Sequence, residues 1–167
     1  MNRIFRYAGQ AAVYAAAAAI IGYFSQAPAY RAFPEDTARI RLSFQHGGER
    51  LVDCRRRTSA EIAKLAPNMR KPMDCQRERV PLYVELSIDG TVRYQRTLPP
   101  TGLSGDGPSK VYERIDIPAG PHRLDLRLRD SKRETGFDYE KTFTMSLADN
   151  ESIAIDFRSE AGGFIIR

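Results

Sequence analysis

Gly102-Leu103-Ser104-Gly105-Asp106 follows a nucleophile elbow for four residues, a pattern that would present a serine for acyl transfer. The fifth position is Asp106 instead of glycine, and the motif needs a strand before it and a helix after it. Val111 onward reads instead as a strand. Gly102, Gly105 and Gly107 fit neither phosphate-loop pattern. Together with Pro99, Pro100 and Pro108 they read as a long inter-strand loop, a candidate contact site.

His46 and His122 are the two histidines, and either could serve as a general base or a metal ligand. His46 precedes Gly47-Gly48 and His122 opens a later strand, so both read as turn histidines. Asp138 with Glu140, and Asp125 with Asp130, have Arg and Lys neighbours to pair with, and no acid pair stands alone. An enzymatic role would rest on His122 or Ser104; the expectation is a protein without catalytic activity, metal or cofactor.

Cys54 and Cys75 are the two cysteines. Outside the cytoplasm they would oxidise to a structural disulfide. The competing reading joins them to Met69 and Met73 as soft ligands for Cu(I).

Charge is the most uneven property of the chain. The 26 Lys and Arg exceed the 21 Asp and Glu by five. From Cys54 to Arg79 there are eight bases (Arg55, Arg56, Arg57, Lys64, Arg70, Lys71, Arg77 and Arg79) and three acids, Glu61, Asp74 and Glu78. The remainder is balanced at 18 of each, so this one segment carries the whole excess. Such a surface suits an acidic protein face or anionic lipid; the topology argues against nucleic acid. A solvated loop needs no partner at all, and that reading also stands.

The elements that would hold these residues fall into two parts. Ile4 to Phe24 is an apolar run without an acid, and its 21 residues would cover about 31 Å as a helix, roughly one bilayer core. Arg3 and Arg6 at its start place the N-terminus in the cytoplasm. Ala27-Pro28-Ala29 also resembles a signal-peptidase site, so a cleaved secretory signal competes with an anchor. The expectation is an uncleaved signal-anchor over 1–27 in the bacterial inner membrane, then a linker over 28–36. Ala8, Ala12 and Ala16, with Ala15 and Ala19, form small-residue faces at i, i+4 that would pack on other membrane helices.

Residues 37–167 are expected as one periplasmic domain. Ile40, Leu42 and Phe44 alternate with polar residues, as do Leu82, Val84, Leu86 and Ile88. Asp89-Gly90 signals a hairpin into Val92, Tyr94 and Leu98. Strands follow at Val111 to Ile117, Leu124 to Leu128, Phe137 to Met145 and Ile153 to Phe157. Seven strands without intervening helices predict an antiparallel β-sandwich of immunoglobulin or fibronectin type. A short helix over Thr58 to Ala66, capped by Thr58 and Glu61, interrupts them. Phe164, Ile165 and Ile166 would add an edge strand or dock on a partner.

The Ala-rich span, the segment Ile117-Pro118-Ala119-Gly120-Pro121-His122 and the alternating strands after it resemble small proteobacterial single-span envelope proteins with an immunoglobulin-like domain outside. That resemblance implies a non-catalytic accessory subunit of an energy-transducing membrane complex, respiratory or photosynthetic. The alternative is a free-standing anchored binding or assembly factor, such as a metal or folding chaperone.

Overall fold

The structure is a computed structural model that describes residues 3–27 and 34–167. Pro28 and Ala29 of the Ala27-Pro28-Ala29 triplet and most of the linker lie outside the described residues. The chain divides into two compact units, Met1–Pro34 and Glu35–Arg167.

The first unit is α1 (Arg3–Gln26), a single helix with none of its side chains buried. It is the one helix among the described residues that is long and apolar enough to cross a membrane. Ala8, Ala12, Ala15, Ala16 and Ala19 are all exposed on it. Tyr23 and Phe24 close its end in an edge-to-face contact, with ring centroids 5.3 Å apart.

The second unit is mainly β. Its main strands are β1 (Thr37–His46), β4 (Leu82–Ile88), β5 (Thr91–Leu98), β6 (Ser109–Pro118), β7 (Gly120–Arg129), β8 (Tyr139–Leu147), β9 (Ser152–Arg158) and β10 (Gly163–Ile166). One sheet has the order β10-β9-β1-β6 and the other β5-β4-β7-β8, forming a sandwich-like pair. Alternation decides which side chains face inward. Ile40, Leu42, Leu124, Leu126, Leu128 and Ile155 are fully buried between the sheets, and their chain neighbours point outward.

The expectation of an entirely antiparallel sandwich needs one correction. β1 and β9 run parallel, with Arg39 opposite Ser152 and Leu42 opposite Ile155. The return from β8 in one sheet to β9 in the other makes this possible, because a crossover lets β9 enter beside β1 in the same direction.

Asp89 (φ 52°) and Gly90 (φ 79°) both take the left-handed conformation between β4 and β5. A two-residue hairpin turn with this twist requires positive φ at both central positions. The Pro118-Ala119-Gly120 corner transfers the chain from one sheet to the other. The C-terminal strand docks on its own domain: Phe164 is 1% exposed, and its ring lies 5.2 Å from Phe157 and 5.9 Å from Phe44.

Between β1 and β4 the chain makes an excursion. It contains β2 (Arg55–Arg56), α2 (Ser59–Ala63), a 3₁₀ turn at Pro67–Met69, and β3 (Met73–Asp74). The helix is shorter than the expected Thr58 to Ala66. Ala66 precedes Pro67, whose ring drives it into extended backbone (φ −55°, ψ 148°), so the helical run stops at Ala63.

Candidate functional site

The excursion is closed by a disulfide. Cys54 and Cys75 are bonded, with Cα atoms 4.3 Å apart. This corrects the Cu(I) alternative, because both sulfurs are consumed by the bond. Just inside it, Arg55 pairs with Asp74 and Arg56 with Met73 across the β2–β3 ribbon. The Arg57 amide extends the ribbon to the Pro72 carbonyl at 2.8 Å.

Thr58 caps α2 as its sequence predicts. The Thr58 amide donates to Glu61 Oε2 at 2.7 Å, and the Glu61 amide donates to Thr58 Oγ1 at 3.3 Å. The Thr58 amide, then the Arg55 guanidinium, hold the Glu61 carboxyl down to about 2.

The base of the excursion is tied to the sandwich through backbone. The Leu51 amide donates to the Glu78 carbonyl and the Val80 amide to the Glu49 carbonyl, each at 2.9 Å. Arg79 is only partly exposed, and its guanidinium donates from Nη1 to the Gly48 carbonyl at 2.7 Å. Gly48 must be glycine: a Cβ there would lie 2.4 Å from the Val80 carbonyl oxygen.

The eight bases of the segment are not equivalent. Arg55 is paired with Glu61 at 2.9 Å and Asp74 at 3.4 Å, and Arg57 with Asp74 at 2.8 Å. Arg70 donates to the Leu65 carbonyl at 3.2 Å. Arg77 forms an ion pair with Asp106. Arg56, Lys64 and Lys71 are exposed and make no ion pair among the described residues. Arg70 and Arg79 also lack an acid but are engaged with backbone carbonyls, so five of the eight charges stay unneutralised, and Arg56, Lys64 and Lys71 are the three that no protein group holds among the described residues.

Asp106 belongs to the Pro- and Gly-rich loop 99–108. Besides the Arg77 pair, its carbonyl accepts from Arg79 Nε at 3.1 Å, and the Arg79 amide donates to the Gly105 carbonyl at 2.9 Å. The two candidate contact sites are therefore one surface. Nothing in the sequence announced this link, although an acid in a Gly-rich loop and a cluster of arginines are its two halves.

The joined loops also carry most of the exposed apolar side chains. Of the seven large hydrophobic residues exposed on the second unit, five are here: Leu51, Val52, Met69, Met73 and Leu103. Leu103 is fully exposed. A groove of about 600 Å³ runs through the excursion, lined by Met69 and Met73 together with Arg50, Arg57, Lys71 and Arg77. Apolar side chains interleaved with cations form an amphipathic surface.

The remaining chemistry-bearing residues are not brought together. Ser104 is exposed in loop 99–108, before the first residue of β6, and His122 lies just beyond its last. Strand length keeps them apart. His122 Nδ1 bonds Asp89 Oδ2 at 2.6 Å, and its Nε2 bonds the Pro118 carbonyl at 2.9 Å. His46 Nε2 lies 2.7 Å from Asp130 Oδ2, with its ring against Phe157 at 4.7 Å. Neither histidine reaches a serine, threonine or cysteine side chain among the described residues. No group of three His, Cys, Asp or Glu is placed to hold a metal among those residues.

The chain matches no protein-family model and no curated protein.

Proposed function

We propose that this protein is a non-catalytic accessory subunit of a larger membrane complex. In this reading α1 anchors it in the inner membrane and packs on neighbouring helices through its alanine faces. The sandwich, read as immunoglobulin-like in its two four-stranded sheets, stands on the periplasmic side and docks on an acidic protein partner. The energy-transducing class of that complex rests on the resemblance of the layout.

One observation carries the proposal: five exposed apolar side chains and the free cations Arg56, Lys64 and Lys71 share two loops joined through Asp106. Exposed apolar side chains concentrated in one region mark interaction sites. The interleaved cations would steer and select an acidic face. The disulfide matches a compartment outside the cytoplasm.

The test is purification of the full chain from native membranes in mild detergent, followed by mass spectrometry. A defined set of membrane subunits should accompany it, and Arg56→Glu, Lys64→Glu and Lys71→Glu together should remove them. Recovery of the chain alone, folded and monomeric, would overturn the reading.

The Met69 and Met73 groove favours a second reading, a free-standing assembly factor. Methionine side chains adapt to varied apolar partners. That role predicts transient capture of many clients, where a subunit predicts fixed stoichiometry.

A further inference from the structure

Arg41 on β1 lies directly opposite Arg114 on β6. Both point away from the core, and like charges facing across a strand pair repel. The rest of that outer face does not relieve them. Asp116 is held by Arg39 at 2.6 Å, and Asp156 is shared by Arg158 at 3.6 Å and Arg167 at 3.0 Å. Arg41, Lys110 and Arg114 are left without an acid among the described residues. On the outer face of the other sheet more of the bases meet acids, Arg127 with Glu85 at 3.1 Å and Glu140 at 3.5 Å and Arg123 with Asp125 at 3.2 Å, while Arg129 bonds the Glu134 carbonyl.

Tyr112 stands between Lys110 and Arg114 on the same face of β6 and is 58% exposed. Its ring lies 5.1 Å from the Arg114 guanidinium, and its hydroxyl accepts from Arg114 Nε at 2.7 Å. A shallow hollow of about 660 Å³ opens beside it, lined in part by Ser43, Gln45, Lys110 and Arg158. The face has more bases than its two acids Asp116 and Asp156 can balance, and it carries one exposed aromatic ring suited to a membrane interface.

We propose that the outer face of the β10-β9-β1-β6 sheet lies on the anionic headgroups of the membrane that anchors the chain. The inference rests on the anchoring part of the proposed function. The nine residues 28–36 span at most about 30 Å when fully extended, which keeps the sandwich close to a bilayer holding α1. Attraction between clustered Lys or Arg and acidic lipid acts within about a Debye length of the surface, ~8 Å at physiological salt. Lipid phosphates between Arg41 and Arg114 would turn their mutual repulsion into shared attraction. The membrane contact uses a sheet face, whereas the protein-docking loops lie at one end of the sandwich.

The experiment uses the full chain in nanodiscs of phosphatidylcholine alone or mixed with phosphatidylglycerol. A fluorophore is placed at Ser43→Cys on this face, or at Val92→Cys on β5 as a control, and the quencher is a spin-labelled headgroup. Quenching at position 43 should rise several-fold with phosphatidylglycerol and stay low at position 92. It should fall back at about 1 M salt, where the screening length is about 3 Å. Arg41→Glu with Arg114→Glu should abolish the rise, while the lipid and salt comparisons test the same point with the charges intact. Equal quenching at both positions, or no response to lipid charge, would overturn the proposal. A chain that fails to stay in either disc would instead overturn the anchor. The labelled proteins are then mixed with preformed vesicles of the same two compositions, where the face is judged by the same criterion.

Discussion

Arg79 of the disulfide-closed excursion donates from Nε to the backbone carbonyl of Asp106, 3.1 Å away in a loop 27 residues further along the chain. The same guanidinium reaches the Gly48 carbonyl at 2.7 Å, so one planar fork joins three segments. A lysine cannot reproduce that geometry. Arg79→Lys should cost about 1.5–3 kcal/mol, the range for one lost hydrogen bond from a charged donor. Urea unfolding of the purified chain measures it, and an unchanged midpoint would show that the fork is not holding the loops.

Gly48 makes a harsher prediction. Its missing Cβ would sit 2.4 Å from the Val80 carbonyl oxygen, a backbone atom that cannot rotate aside. Gly48→Ala should destabilise the sandwich by about 1–3 kcal/mol, as overpacking does elsewhere. Gly90→Ala provides the contrast, since nothing lies within 4 Å of a Cβ there and only its φ of 79° resists. Thermal melts of the two variants should therefore rank Gly48→Ala as the less stable.

His122 links the β4–β5 turn to the corner between β6 and β7. Its hydrogen bond to Asp89 raises its pKa, burial opposes this, and the Pro118 carbonyl adds to the rise. Both ring nitrogens face acceptors, so the link needs the imidazolium. Its stabilising contribution is fully present below the unfolded value of about 6.5 and is lost as pH rises through the raised folded value. Asp89 is shifted down by the Arg123 amide and then His122, so its contribution is lost only as pH falls through that lowered value. The melting temperature of the full chain should drop as pH rises above about 6.5. His122→Asn should lack this step, and an identical profile for both proteins would contradict the argument.

The strands were legible because period-two alternation is a local property. Leu124, Leu126 and Leu128 announce a buried face whatever they pack against. The Asp89-Gly90 turn, the Thr58 cap and the disulfide could likewise be read, each from one or two short-range signals. Pairing across the domain could not. That β9 lies parallel to β1 depends on which sheet receives the chain after Leu147, and no residue near Ser152 encodes it. The site shows the same division. The excess of bases in the excursion is legible with Glu61 and Asp74 already set against it, but which arginines those acids hold, and that Asp106 from a distant loop meets Arg77, depends on the fold. The balanced remainder hid a second imbalance, because Arg41 and Arg114 are 73 residues apart and meet only through strand register.

The disulfide should matter far more to the excursion than to the sandwich. Helix α2 has five residues and none of them is buried, and the β2–β3 ribbon is two residues long on each side. Elements this short do not hold themselves together in water. Closing the 22-residue loop from Cys54 to Cys75 contributes about 3 kcal/mol in the loop-entropy account. The core strands instead rest on buried side chains such as Leu42, Leu86 and Leu126. Cys54→Ser with Cys75→Ser should therefore speed amide exchange across 55–74, a local opening, while β1, β4 and β7 keep their protection. If 55–74 exchanged as slowly as in the oxidised protein, the excursion would have another source of order. Under the proposed function the double variant should also weaken capture of membrane subunits, because Arg56, Lys64 and Lys71 would no longer be held in one arrangement.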